Sequence, residues 1–262
     1  MKRIISSQFY QLRCNFSLLR ISLLITAAIA GMSILLCATS EYESSAGNMF
    51  IENDGISWLF QVMLIGVFAG MICAGDFADK DLNYELMNGH SRRSIYIARV
   101  LLCIGLASVV STLCAFLPYL ATSAVYGWGE RIRAADVYAR TALFFFPFIR
   151  IAAFFCMLAF IIKKQSIVIT LGFVTEMGCI LLHDIVTEKC GYTLGIFNLM
   201  ELLNVGEFSL YNVVPGTGIV EYTRIEGALS KELVAGTIVV SLIMTLIYLL
   251  AGYAFFRKDD LD

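Results

Sequence analysis

Two charged residues, Arg150 and Glu176, lie inside long apolar stretches of this 262-residue sequence. At 1.5 Å per helical residue, both fall roughly 12 Å below the same predicted membrane surface. An unpaired charge at that depth costs at least ~2.5–3.5 kcal/mol, so a partner or a water-filled cavity is expected. We predict an intramembrane charge pair. It would serve a substrate pathway or gate, or it would be a salt bridge that only ties two helices together. The remaining possibility is an arginine that extends its charge to the surface.

Sequence patterns for covalent or metal chemistry are missing. The chain contains no G-x-x-x-x-G-K-[ST] phosphate loop, no H-E-x-x-H and no G-x-S-x-G. Its two histidines, His90 and His183, fall in different parts of the chain and cannot form a histidine cluster. We therefore expect no catalytic residue, no cofactor and no metal site in this chain, and we expect that it is not an enzyme.

The eight cysteines do not change that expectation. No C-x-x-C pair occurs, so neither a disulfide framework nor a zinc site is indicated. Cysteine packs as a small hydrophobic residue in such surroundings. Six of the eight lie within apolar blocks: Cys37, Cys73, Cys103, Cys114, Cys156 and Cys179.

The composition predicts an integral membrane protein. Hydrophobic residues make up 59% of the chain and charged residues 15%, against about 45–50% and 25% in ordinary soluble domains. The apolar residues are concentrated in blocks long enough to cross a bilayer as helices. We predict an all-α fold with six transmembrane helices, at residues 21–38, 56–74, 100–125, 142–162, 167–182 and 233–256.

The distribution of lysine and arginine predicts the orientation of these spans. With the N-terminus inside, the inner segments hold twelve basic residues and the outer segments hold six. Basic residues accumulate on the cytoplasmic side of membrane proteins. We therefore expect a multi-pass protein of the plasma membrane with both termini in the cytoplasm. No cleavable signal peptide is expected before the first span.

The segments between the spans are predicted to contain short helices within a single domain covering residues 1–262. Residues 1–20 have one apolar face, which predicts a helix lying on the membrane surface. Residues 75–98 are predicted to form a short cytoplasmic helix between spans two and three. The outer connection, residues 183–232, contains a strongly apolar segment at 196–203. Short re-entrant helices would explain that segment, and a peripheral cap is the alternative.

Two parts of the sequence resemble a known family. The first part runs from residues 76–80 through 86–89 to residues 91–99, which contain a serine-arginine pair and further basic residues. The second part is the end of the chain, residues 252–260, where aromatic residues are followed by basic residues and then aspartates. These segments are similar to those of type-2 ABC exporter permeases, most of all the bacterial antimicrobial-peptide export and immunity permeases. The six-span arrangement also fits. The chain departs from the family in having Asn88-Gly89-His90 where proline is frequent.

The resemblance implies a permease subunit of an ATP-driven exporter in a bacterial cytoplasmic membrane. Such a subunit forms the pathway as a dimer, here expected to be a homodimer, and docks two copies of a separate ATPase that holds ATP and magnesium. The expected substrate is an amphipathic or hydrophobic peptide or a drug-like molecule, and no nucleic acid is expected. The residues expected to contact the ATPase are Asp79, Leu82, Glu85, Leu86 and Arg92.

Two other functions remain open at this point. A non-transporting membrane protein, such as an immunity protein that binds a peptide, would have the same composition. An ion-coupled secondary carrier would be expected to show inverted repeats, and no convincing repeat is visible in the sequence.

Overall fold

Each of the six predicted spans corresponds to a helix in the computed structural model. It describes residues 16–39, 45–78, 85–130, 132–190, 206–213, 219–226 and 229–258. The helices are α1 (Phe16–Thr39), α2 (Ala46–Ala69), α3 (Gly75–Ala78), α4 (Arg92–Tyr126), α5 (Ala134–Leu143), α6 (Phe145–Ile162), α7 (Gln165–Cys190) and α8 (Lys231–Lys258). A π-helix, Gly70–Ala74, joins α2 to α3, so that span two is one continuous helical segment.

Three of the helical segments are long and apolar enough to cross a membrane. They are α4, α5 together with α6, and α8, whereas the apolar parts of α1, α2 and α7 are shorter. Large apolar side chains cover the outside of the bundle, a surface that a soluble protein would not present to water. The most exposed of these in the helices are Leu23, Leu24, Leu35, Leu113, Leu246 and Leu250. The fold is that of a helical membrane protein.

The helices alternate in direction through the bundle. The ends of α3, α6 and α8 near Phe77, Phe160 and Phe256 meet the start of α4, and we call this the inner end because the sequence predicts it to be cytoplasmic. At the other end, the N–H of Gly47 donates to the carbonyl of Trp128, which follows α4. This outer end therefore joins the beginning of α2 to the end of α4.

Glycine allows three helices to pack closely around the ring of Phe155. A Cβ on Gly66 of α2 would lie 2.7 Å from Phe155 Cε1, and one on Gly172 of α7 would lie 2.2 Å from the same atom. Gly66 belongs to a G-x-x-x-G pattern with Gly70, whose own Cβ would lie 2.9 Å from Gln165 Cγ. The pattern thus packs within the bundle, with α6 and α7.

The outer connection differs from the expected set of short helices. Between the ends of α7 and α8 it contains two antiparallel strands, β1 (Gly206–Val213) and β2 (Ile219–Glu226), in which Gly206 pairs with Glu226 and Val213 with Ile219. Residues 219–226 are rich in β-branched and aromatic side chains, which favour a strand. The prediction was wrong for these residues, and the apolar segment 196–203 lies outside the described part of the chain.

The predicted starts of the first two spans both move toward the N-terminus, and the change is largest at span two. Residues 16–20, which the sequence placed in a surface helix, are the first residues of α1, and residues 1–15 lie outside the described part. Helix α2 begins at Ala46, ten residues before the predicted start of span two at residue 56. The polar residues at 52–54 hid this extension, because a hydropathy pattern ends where charged side chains begin.

Candidate coupling site at the inner end of the bundle

A tight turn leads from the inner connection into α4. The N–H of Gly89 donates to the carbonyl of Leu86 at 3.0 Å, and Gly89 has a φ of 83°, in the region that favours glycine. Ser91 then caps α4, because its side-chain oxygen accepts from the N–H of Ser94. The Asn88-Gly89-His90 sequence thus forms a turn whose shape depends on glycine.

A salt bridge fastens this turn to the body of α4. Arg99 Nη2 donates to Glu85 Oε2 at 3.1 Å, with the Arg99 side chain fully buried and the Glu85 side chain 20% exposed. A buried guanidinium needs a charged or hydrogen-bonded partner to offset the loss of water. The sequence had placed Glu85 at an external interface and Arg99 among the cytoplasmic charges, whereas the two residues contact each other.

Five aromatic side chains pack together below the turn, and we call them the inner aromatic cluster: Phe77, Tyr96, Phe160, Tyr253 and Phe256. The ring centroid of Tyr96 lies 4.7 Å from that of Phe160, 5.4 Å from that of Tyr253 and 5.9 Å from that of Phe256. Phe77 contacts Phe160 and Phe256 edge-on. The cluster joins α3, at the start of the inner connection, to α4, α6 and α8.

Tyr96 is the most constrained member of the inner aromatic cluster. Its hydroxyl donates a 2.7 Å hydrogen bond to the carbonyl of Leu249 on α8. Gly252 makes room for it, because a Cβ at that position would lie 2.8 Å from the Tyr96 hydroxyl oxygen. Nearby, Lys163 Nζ lies 5.6 Å above the centre of the Phe77 ring, in range of a cation–π contact.

Of the residues expected to contact the ATPase, some bond within the chain and others lie outside the described residues. Glu85 and Arg92 both bond within the chain, Glu85 to Arg99 and Arg92 through its Nη1 to the carbonyl of Arg257 at 3.4 Å. Asp79 and Leu82 lie outside the described residues. The structure therefore brings Glu85 and Arg92 to the same end of the bundle, with Glu85 attached to the body of α4 and Arg92 to the end of α8.

Leu86 and its neighbour Met87 face different surroundings. Leu86 is half-buried and packs against the hydrophobic core, while Met87 is 83% exposed. An exposed methionine beside a core-anchored turn is suited to bind an apolar groove of another protein. Met87 was not among the residues predicted from the sequence to contact a partner, although it stands next to Leu86 in a polar turn.

The two intramembrane charges lie near each other in the middle of the bundle. Arg150 on α6 is buried with 6% of its surface exposed, and Glu176 on α7 is half-buried. Their charges interact electrostatically, and both act on Tyr248 of α8. Three helices therefore contribute polar groups to one region, while the role of the pair stays a prediction.

Three cysteines from different helical segments meet in the core, in contrast to the expectation drawn from their spacing. The Sγ atoms of Cys73, Cys103 and Cys156 all lie within 4.8 Å of one another, and all three side chains are buried. They lie about 30 and 53 residues apart along the chain. A C-x-x-C search cannot find such a group, because only the folding of the helices brings it together.

No family model and no curated protein sequence matches this chain. At the inner end, the salt bridge, the inner aromatic cluster and the Arg92 hydrogen bond join the inner connection to α3, α4, α6 and α8. These contacts link the segment firmly to the bundle.

Proposed function

We propose that this chain is the transmembrane permease subunit of an ATP-driven type-2 exporter, and that its inner connection docks a separate ATPase. The observation that supports this most is the attachment of residues 85–99 to the bundle. The Glu85–Arg99 salt bridge and the packing of Tyr96 link one cytoplasmic turn to α4, α6 and α8 at once.

A coupling segment must pass a movement of its partner to several helices. Packed cores are not continuously deformable, so a displacement of a tightly packed element repositions the helices that contact it. A surface loop joined to the bundle only through its ends would move without them. The inner aromatic cluster gives the turn the contacts that this transmission needs.

Met87 supplies an apolar anchor for the partner. Exposed apolar side chains at the centre of an interface carry more binding energy than charges at its rim. Met87 is 83% exposed, whereas Leu86 is held against the core, so that Leu86 positions the turn and Met87 enters the groove of the ATPase.

The proposal includes six membrane crossings with both termini in the cytoplasm of a bacterium. The presence of a helix at each of the six predicted positions and the excess of basic residues on the inner side support this topology. Two copies of the chain form the pathway, and two ATPase subunits bind ATP and Mg²⁺. The chain itself performs no covalent chemistry.

The region around Arg150 and Glu176 contains the proposed gate. ATP-driven closure of the ATPase pair draws the inner connections together and changes the equilibrium between two arrangements of the helices. Arg150 and Glu176 lie on neighbouring helices that would separate or approach in this change. An amphipathic or hydrophobic peptide or a drug-like molecule, the class expected of such exporters, is the proposed substrate.

A pair of variants at residue 87 tests the proposal. The tagged chain, purified from its native host, should bring with it an ATPase that contains a phosphate loop. Met87→Asp should reduce the recovered ATPase roughly tenfold or more, because it removes a central apolar anchor. Met87→Leu, which keeps the apolar side chain, should retain the partner, and both variants should insert into the membrane equally.

Two results would contradict the proposal. One is a chain that purifies without any phosphate-loop ATPase, the outcome expected of a membrane protein that binds a peptide without transporting it. The other is equal recovery of the ATPase with Met87→Asp and Met87→Leu, which would remove this turn from the interface.

A further inference from the structure

We propose that Cys73, Cys103 and Cys156 form a binding site for a soft monovalent metal ion, and that Cu(I) is the ion that fits it best. The site is separate from the proposed ATPase contact. It lies within the bundle, where the π-helix, α4 and α6 meet, and each of these three segments contributes one sulfur atom.

The sulfur atoms already have the spacing of a three-coordinate site. Cys73 Sγ and Cys156 Sγ are 3.8 Å apart, and all three sulfurs lie within 4.8 Å of one another. Three sulfurs bound to one ion through bonds of about 2.3 Å lie about 4 Å apart. Binding would therefore need only small side-chain movements.

The backbone at Cys73 departs from a regular helix. Residues Gly70–Ala74 form a π-helix, and the N–H of Gly75 donates to the carbonyl of Gly70, five residues earlier. A π-helical turn contains one more residue than an α-helical turn, and such turns occur frequently at functional sites. In this bundle the irregular turn carries the cysteine that faces the other two.

The set of ligands favours Cu(I) over zinc. Thiolates are soft ligands that suit Cu(I), zinc and iron–sulfur clusters, so the number of ligands decides between these. Zinc requires four ligands in a structural site, and the group found among the described residues consists of three cysteines. All three side chains have no exposed surface, so the surroundings do not supply a solvent ligand readily.

Charge balance is also favourable. When Cu(I) binds two thiolates and one neutral thiol, two protons leave to the solvent and the complex carries one negative charge. Arg99 lies one helical turn before Cys103 on α4 and is fully buried. Its guanidinium offsets the charge of the complex in a region of low dielectric constant.

Anaerobic titration of the full-length protein with Cu(I), in competition with a chromophoric Cu(I) chelator, tests this proposal. One Cu(I) should bind per chain, and X-ray absorption of the copper complex should show three sulfur ligands. Cys103→Ser and Cys156→Ser should each weaken binding roughly a hundredfold or more, beyond the ~10–100-fold effect of a lost outer contact. Cys179→Ser, outside the group, should bind like the unchanged protein.

The X-ray absorption measurement uses the unchanged protein and does not depend on the folding of any variant. Fewer than three sulfur ligands, no tight Cu(I) binding, or Cu(I) binding unaltered in Cys103→Ser would each overturn the proposal. Preferential binding of Zn(II) would overturn the choice of ion. None of these measurements involves an ATPase, so their outcome is independent of the proposed transport function.

Discussion

Two buried arginines serve two regions of the molecule in different ways. Arg99, at the inner end, has no exposed side-chain surface and pairs with Glu85, which lies in the connection just before α4. Arg150, in the middle of the bundle, is 6% exposed and interacts with Glu176 on another helix. Arg99 thus holds a connection against the bundle, and Arg150 links two spans.

The contacts around these arginines differ as well. At the inner end, aromatic rings and the Tyr96 hydroxyl fill the space between α4 and α8. Near Glu176, Gly178 has no atom within 4 Å of the position its Cβ would take. Dense packing suits the transmission of movement, whereas open space permits it. We infer that the inner end moves as a unit and that the helices beside Glu176 rearrange.

The largest expected effect is at the inner salt bridge. Glu85→Gln should lower the free energy of unfolding in detergent by ~3–5 kcal/mol, because the fully buried Arg99 loses its charged partner. Arg99→Met should have a smaller effect, since Glu85 is partly exposed to water. Chemical denaturation of both variants measures the difference, and equal losses would show that the burial of Arg99 is not decisive.

Removing one member of the Arg150–Glu176 pair should produce a somewhat smaller loss of stability than Glu85→Gln. Arg150→Leu and Glu176→Leu should each lower stability by about 3 kcal/mol, at the lower end for buried pairs, because Glu176 is only half-buried. The double variant should recover much of the loss. If it is stable but no longer exports, the pair belongs to the pathway, whereas normal export would assign it a structural role. Additive losses would mean that the two charges do not interact.

Packing at Gly252 gives the smallest of these effects. Gly252→Ala should destabilise the protein by about 1–2 kcal/mol, since its Cβ would displace the Tyr96 hydroxyl from its bond to Leu249. Gly236→Ala in the same helix has open space around it and should be neutral or slightly stabilising. Thermal unfolding of both variants, with Tyr96→Phe for comparison, measures these changes in stability. Equal stability of the two alanine variants would contradict the tight packing at the inner end.

The sequence predicted the helices better than their contacts. Each apolar block became a helix because lipid leaves the backbone no other hydrogen-bond partner. The charges Arg150 and Glu176 were visible because they interrupt such blocks. Arg99 could not be recognised as a buried charge, because it lies at the edge of an apolar block. At such a position the sequence does not distinguish a buried arginine from a cytoplasmic one.

The elements that the sequence missed depend on contacts between distant residues. The three cysteines lie on separate helical segments, and the outer hairpin depends on pairing between β1 and β2. Met87 follows Leu86 in the chain, and only the packing of the turn shows which of the two is exposed. The hydrophobic periodicity of a single segment predicts none of these contacts between segments.

The most direct test of the proposed coupling role is photo-crosslinking from residue 87 in native membranes. A photoreactive amino acid in place of Met87 should form an adduct with a phosphate-loop ATPase. The same amino acid in place of Leu113, exposed on the apolar surface of α4, should form none. No ATPase adduct from residue 87, or equal adducts from both positions, would contradict the proposal that the inner turn docks the ATPase.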